Sequence, residues 1–248
     1  MINKLVTDLA EATAAVQSGD SVAIGGFGRA GIPGHLIDAL CDRGIEDLHV
    51  ISNNAGKDHA GIARLVRERR VRKLTCTFPG HAEFFRQYLE GDIELELVPQ
   101  GTLAERLRAG GSGIPAFYTP TSVGTMLADG TFPSLYAEGT PAMFHSPKET
   151  REIDGRLHVL EFALVPDVAL VKAHQADRYG NLRFRLSARN FNPLCAMAGR
   201  VTIAEVEEAN ETTVLAPDDI HVPGAFVTTV IRCDRELAAA LTHRGDVA

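Results

Sequence analysis

The strongest constraint in this sequence is an alternation that begins at Ser21. Short apolar runs rich in Val, Ile and Leu occur at residues 21–24, 47–52, 73–77 and 94–98. Each gives way to a longer stretch with apolar residues at helical spacing. In the first of these, Leu36, Ile37, Leu40 and Cys41 share one face, Pro33 stands at the start and Gly44 at the stop. Proline tolerates a helix start because its missing N–H would be unpaired there, and glycine supplies the left-handed exit. Further helices are expected at residues 60–70, 81–90 and 102–109, and one precedes the series at residues 7–17 with Thr7 as its N-cap. A helix between strands returns the chain in the same direction, so the strands pair in parallel. The expected fold is α/β, an open, mostly parallel sheet with helices on both faces. Ligands of such sheets sit where strands end and turns begin, which singles out residues 25–31, 52–56, 77–80 and 99–101.

Beyond Gly110 the alternation stops. Residues 114–125 are rich in Pro, Thr and Gly and read as a loop, and residues 129–147 show neither period, which reads as a surface excursion. Asp154-Gly155 between two alternating runs predicts an added hairpin over residues 149–160. Strands at 168–173, 182–185, 201–207 and 226–231, a turn at Tyr179-Gly180-Asn181 and a helix at 194–199 complete the pattern. Residues 236–241 are helical in composition. With no repeat and no linker of disordered composition, residues 1–234 are expected to form one domain and 235–248 a tail.

Composition removes several function classes. The chain has 248 residues, 45% of them hydrophobic, enough for a full core. A net charge of −7, 6% aromatics and no Trp argue against a nucleic-acid partner. The one basic run, residues 64–73, reads as a solvated helix end. Cys41, Cys76, Cys195 and Cys233 form no C-x-x-C, and the first three sit in apolar runs as core residues. His59, His81, His145, His158, His174 and His221 show no ligand spacing, so no metal site is expected. The N-terminus lacks an apolar signal region, and no apolar run reaches the ~20 residues of a membrane span. A cytoplasmic location without a membrane partner is expected.

The turn after the first strand holds Gly26, Gly28 and Gly31 as G-x-G-x-x-G, the dinucleotide fingerprint. That reading requires an acid about 20 residues on, at the end of the second strand, to hold the ribose hydroxyls. The strand ends Ser52-Asn53-Asn54, without an acid. No Gly-Lys-Ser or Gly-Lys-Thr follows the glycines, so the P-loop reading fails too. The turn does suit a phosphate, a carboxylate or a thioester oxyanion, because glycines admit close backbone approach, helix-start amides attract negative charge and Arg29 adds a cation. Equally, the glycines can serve only a tight strand-to-helix turn. Asn53, Asn54 and Gln100 each close a strand toward the same crevice, where amides donate without adding charge. A local turn role is an equal alternative for Asn53, whereas Gln is not a turn residue.

The stretch AIGGFGRAGIP (residues 23–33) resembles the signature of the family I coenzyme A transferases. The blocks ISNNAG (51–56), VPQGTLAER (98–106), RAGGSGIPAFYTPT (108–121), KETREIDG (148–155), DRYGNL (177–182), ARNFNP (188–193) and DDIHVP (218–223) are similar to successive blocks of that family's A subunits, most closely those of the 3-oxoacid branch. The likeness runs from about Leu9 to Arg232. It implies two homologous halves, A and B, and a ping-pong transfer of CoA from succinyl-CoA to acetoacetate or 3-oxoadipate through a glutamyl-CoA thioester. It also implies CoA binding at Gly25, Gly26, Phe27, Gly28, Arg29, Ala30 and Gly31, with a CoA thioester as substrate and no permanently bound cofactor. The B half carries its glutamate in a Ser-Glu-Asn-Gly motif, which this chain lacks. Of the acids near the family blocks, Glu105 is expected to face solvent or pair with Arg106 or Arg108, and Glu149, Glu152 and Asp154 flank the hairpin; these and Glu161 are not expected to be nucleophiles. No catalytic residue is therefore expected in this chain, and the catalytic glutamate is expected on a partner B subunit. Arg189, Asn190, Phe191 and Asn192 either pin the end of the sheet or meet the partner. A nicotinamide-dependent oxidoreductase and a non-catalytic CoA-binding protein are the competing readings.

Overall fold

The structure, a computed structural model, describes residues 2–56, 60–210, 212 and 214–233. His59, the expected helix at 236–241 and the tail at 235–248 lie outside the described residues. The main sheet runs β1 (Leu5–Val6), β14 (Thr229–Arg232), β13 (Val201–Asn210), β11 (Val168–Asp177), β2 (Ser21–Ile24), β3 (Leu48–Ile51), β4 (Val71–Cys76), β5 (Glu94–Leu97). These neighbours pair in parallel; β12 (Leu182–Arg183) folds back antiparallel on β11.

Alternation along each strand sends one set of side chains to each face. Val22, Ile24, Val50, Leu74, Leu95, Leu170 and Ile203 pack under α1 (Leu9–Thr13), α2 (Gly34–Asp42), α3 (Ile62–Arg67) and α4 (Ala82–Glu90). Ala23, Ile51, Val171, Ala204 and Val206 face α5 (Gln100–Gly111) and α7 (Asn192–Ala198) on the other side. No helix among the described residues is long and apolar enough to cross a membrane.

Several boundaries differ from the expectation, each for a physical reason. Asp8, not Thr7, caps α1, because its carboxylate accepts the Glu11 N–H at 3.0 Å. Strands β11 and β13 run on past their apolar halves. Lys172 meets Glu205, His174 meets Glu207 and Gln175 meets Glu208 across the ladder, so His174, Gln175 and Glu208, beyond the expected strand ends, form cross-strand pairs. The basic run is more than a solvated helix end. Arg64 joins Asp38, Asp42 and Glu68 at 2.7–2.8 Å and so ties α3 to α2. The last strand begins at Thr229 rather than Phe226.

The loop expected at 114–125 contains β6 (Ala116–Thr119), which pairs antiparallel with β10 (Arg156–Phe162). β9 (Thr150–Ile153) lies on the other side of β10. Asp154 and Gly155, with φ of 49° and 71°, make the expected two-residue turn between them. The excursion is not irregular. After α6 (Met126–Asp129) it folds into a ribbon of β7 (Pro133–Ala137) and β8 (Thr140–Phe144) over α4. There the Tyr136 ring meets Tyr88 edge-on at 4.9 Å and the Gly139 N–H donates to Leu89 O. Pro141 fits because β8 pairs on one side only within this ribbon.

A polar relay crosses the α5 face of the sheet. The Thr75 hydroxyl donates to Glu96 Oε2 at 2.8 Å, so its single proton is committed and His49 Nε2–H must donate to Thr75 Oγ1, also at 2.8 Å. Glu96 then pairs with Arg106 of α5, whose Nε donates to Phe162 O and fastens the β10 sheet. Burial, followed by the charge of Lys73, pushes the His49 imidazole down from 6.5 to about 4. Burial alone would raise the Glu96 carboxyl, but Arg106, Thr75 and Lys73 outweigh it and hold it at about 2. Both contributions vanish on acidification. The neutral His49 contribution is lost as pH falls from about 6.5 toward 4, and that of Glu96 as pH falls from about 4.5 toward 2. His49→Gln is expected to flatten the fall in melting temperature between about pH 6.5 and 5, where carboxylates do not titrate. Thermal melts across that range check this, and equal slopes for the two proteins would refute it.

Candidate active site

The chain winds outward from β2 through β3 and β4 to β5, then returns to place β11 on the opposite side of β2. The strand order therefore reverses between β2 and β11, the place where open sheets of this kind take a ligand in a crevice beyond the C-terminal strand ends. The glycine turn leaves β2 at this point. Its Gly25 N–H extends the ladder to Leu170 O at 3.0 Å. Phe27 and Ala30 then exchange two backbone hydrogen bonds at 3.0 Å, closing a two-residue loop with exposed Gly28 and Arg29 at its tip. Gly26, Gly28 and Gly31 take φ of 119°, 60° and 72°. Among the described residues, their N–H groups meet no recorded acceptor, whereas those of Phe27 and Ala30 are used.

The glycines are required by a neighbour that sequence reasoning left undecided. Asn192, fully buried at the start of α7, donates from Nδ2 to Gly31 O at 3.0 Å and Ala188 O at 2.9 Å, while its Oδ1 accepts the Lys172 N–H at 2.8 Å. A Cβ on Gly25 would collide with Asn192 Oδ1, and one on Gly31 would lie 2.6 Å from its Nδ2. Asn190 donates to Ala30 O at 3.0 Å. The block after β12 therefore holds the glycine turn. A Cβ on Gly28, by contrast, would meet nothing within 4 Å, so that glycine lies open to the crevice.

The helix start beyond the turn is already filled. Glu205 of β13 accepts the His35 N–H at 2.9 Å and the Leu36 N–H at 3.3 Å on Oε2. Its Oε1 takes His35 Nδ1–H at 2.8 Å and Lys172 Nζ at 2.9 Å. The expectation that these helix-start amides receive a ligand's charge is thereby corrected: the chain supplies the anion itself. The dinucleotide reading, already without its acid after β3, loses its pyrophosphate seat. One ligand atom from each of His35, Glu205 and Cys233 lies within 4.8 Å of the others. The four donors occupy the carboxylate's roughly four lone-pair positions, leaving none for an ion.

On the β3–β5 side of the crevice, Asn53 is buried, and its Oδ1 accepts Thr77 Oγ1–H at 3.0 Å and Gln100 Nε2–H at 3.2 Å. The Thr77 hydroxyl shares its single proton between Asn53 Oδ1 and Asn53 O, the latter at 2.9 Å, and in this arrangement Asn53 Nδ2 has no acceptor among the described residues. Gln100, at the start of α5, is exposed rather than buried. Asn54 does not join the pair, because its Oδ1 accepts the Gly56 N–H at 2.8 Å in a local turn. Thr77 was not among the expected pocket residues by name, although it opens the turn at 77–80 that the sheet pattern singled out, one residue beyond β4.

The remaining nucleophile candidates are occupied or inert. Glu105 pairs with Arg108, Glu149 accepts the Tyr118 hydroxyl and Glu161 pairs with Lys148. All four cysteines are buried, and burial raises the thiols of Cys41, Cys76 and Cys195 to about 12, far from the thiolate form.

The Coenzyme A transferase family model matches residues 6–232. The A subunit of a succinyl-CoA:3-ketoacid coenzyme A transferase from Xanthomonas campestris pv. campestris is 54% identical over 217 residues, 87% of this chain and 83% of that protein. The A subunit of a 3-oxoadipate CoA-transferase from Pseudomonas putida is 46% identical over 244 residues, 97% and 98% of the two chains. In fold, the chain is similar to an acyl-CoA transferase from Escherichia coli O157:H7, solved as a thioester complex with CoA. The TM-score is 0.79 at 21% identity over 94% of this chain and 47% of that one, so this chain spans about half of that molecule. Glutaconate coenzyme A-transferase from Acidaminococcus fermentans gives a TM-score of 0.76 at 21% identity, with 94% and 77% covered. On the family match and the identity to these relatives, the chain belongs to the coenzyme A transferase family.

Proposed function

We propose that this chain is the A subunit of a 3-oxoacid CoA-transferase. It works with a homologous B subunit to move CoA from succinyl-CoA to acetoacetate or 3-oxoadipate. The observation that carries the reading is 46–54% identity, over most of both chains, to relatives named as A subunits for these two kinds of acceptor.

In this reading the B subunit brings the nucleophile. Its glutamate oxygen attacks the succinyl thioester carbon, the C–S bond breaks and CoA leaves as thiolate, giving an acyl-glutamyl anhydride. The thiolate attacks the glutamyl carbonyl, succinate leaves and a glutamyl-CoA thioester remains. The 3-oxo acid carboxylate then attacks that thioester and expels the thiolate. The thiolate returns to the 3-oxoacyl carbon and frees the glutamate. Each addition places negative charge on a carbonyl oxygen. A carboxylate attacks a thioester slowly unless it is oriented and that oxygen is met by fixed donors.

This chain supplies such donors and keeps them oriented. Gly25, Gly26, Phe27, Gly28, Arg29, Ala30 and Gly31 form the CoA-facing segment. The N–H groups of Gly26, Gly28 and Gly31 are candidates to meet the thioester oxygen or the pantetheine amides. Asn53 Nδ2, oriented by Gln100 and Thr77, is the candidate donor across the crevice, and Asn54 shapes the turn beside it. Remote binding of CoA can then be used to hold the reacting carbon against these donors.

Two outcomes test this. The purified chain alone is expected to form no acetoacetyl-CoA from succinyl-CoA and acetoacetate, and the complex with a co-expressed B subunit to form it, followed by the enolate absorbance of the product. Transfer by the chain alone would show that no second chain is needed and remove the reading as half of an enzyme. In the active complex, Asn53→Ala is expected to lower kcat by about 100-fold, the loss typical of one oxyanion donor, with binding of the B subunit retained. Activity within about 3-fold of wild type would exclude Asn53 from that role.

A further inference from the structure

Glu205 stands in the run TIAEVEEAN of β13, where nothing in the sequence separates it from Glu207 or Glu208. The structure separates them. Glu207 makes a half-buried and Glu208 an exposed cross-strand pair, whereas Glu205 is fully buried between β11 and the first turn of α2. It is a permanent internal anion at the start of the helix that follows the glycine turn. The His35 and Leu36 amides bind one of its oxygens, and the His35 ring and the Lys172 ammonium bind the other. Lys172 also makes the second connection. Its backbone N–H fixes Asn192 Oδ1, and Asn192 Nδ2 in turn holds Gly31 O. The turn is thus held through Asn192 at Gly31 and through Glu205 at the helix that begins three residues later, and both ties meet at one residue of β11.

We propose that Glu205, acting through the His35 and Leu36 amides that it binds, is a positioning residue for CoA transfer: it fixes the start of α2, and with it the backbone of the glycine turn, so that the turn's amides meet the thioester. This rests on the proposed function of that turn. The turn carries no long side chain apart from Phe27 and Arg29. Its glycine N–H groups therefore point wherever the backbone points; the Phe27–Ala30 pair closes the loop, and the surrounding structure aims it. Stability alone does not call for such a network, because a buried ion pair replaced by apolar residues of similar volume often leaves stability equal or higher. What apolar packing cannot provide is a fixed direction for the first helix amides and, through them, for the turn. A misplacement of about 1 Å at such a site costs about 100-fold in rate.

The test uses the A/B complex. Glu205→Gln keeps the shape but removes the charge and turns an NH2 group toward donors. It is expected to lower kcat at least about 30-fold while KM for succinyl-CoA stays within about 3-fold and the two chains still associate. Amide hydrogen exchange in residues 25–36 of the substrate-free complex is expected to speed up, with β3 and β4 unchanged. Glu205→Gln combined with Lys172→Met removes the stranded ammonium; it is expected to recover melting temperature but not kcat. Three results would each overturn the proposal: a kcat for Glu205→Gln within about 3-fold of wild type, unchanged exchange in residues 25–36, or kcat recovering together with melting temperature in the double variant. If the wild-type complex transfers no CoA, the functional reading of the turn fails, and the exchange comparison still decides whether Glu205 holds it.

Discussion

The parallel pairing of β2 with β11 joins residues about 146 positions apart, and the site depends on it. At its start, Asp167 accepts both the N–H and the hydroxyl of Ser21, at 3.0 and 2.6 Å. At its end, the Gly25 amide takes Leu170 O. In between, Val22, Ala23 and Ile24 lie level with Val168, Ala169 and Leu170. This pairing reverses the strand order, which in open sheets of this kind marks the ligand crevice. It also brings the segment after β12, with Asn190 and Asn192, against the turn after β2.

Two kinds of polar group then sort themselves by environment. Glu205 and Glu96 are carboxylates in poorly solvated positions, and each is matched by cations and hydrogen-bond donors, without which burial would neutralise it. Asn53 differs. Its oxygen accepts from Gln100 and shares the Thr77 proton with its own backbone carbonyl, and its NH2 has no acceptor among the described residues. Saturated charge inside and oriented neutral donors at the crevice suit chemistry in which negative charge appears transiently on a substrate oxygen.

Much of this was legible in the chain. The apolar runs of β2 to β5, the glycine stops and Asp154-Gly155 are local signals, and local signals name their elements. The family blocks led to the same turn and to the reading as an A-type half. Less legible were elements whose stability comes from across the structure. The far halves of β11 and β13 are polar because each supplies the other's countercharge. β7 and β8 exist because Tyr88 and Leu89 give them a surface. Asn53 and Asn54 are the same residue type in adjacent positions, yet one orients toward Gln100 and the other closes on Gly56.

By itself, then, the sequence determined the succession of strands and helices, the turn positions and the family, since these rest on local periodicity, backbone freedom at glycine and proline, and ordered motifs. The tertiary structure alone decided which strand lies beside β2, why Gly25 and Gly31 must lack side chains, and which anion fills the start of α2. Those answers depend on contacts between β2, β11, β13 and α7, and a buried carboxylate or amide takes its role from the donors the fold brings to it.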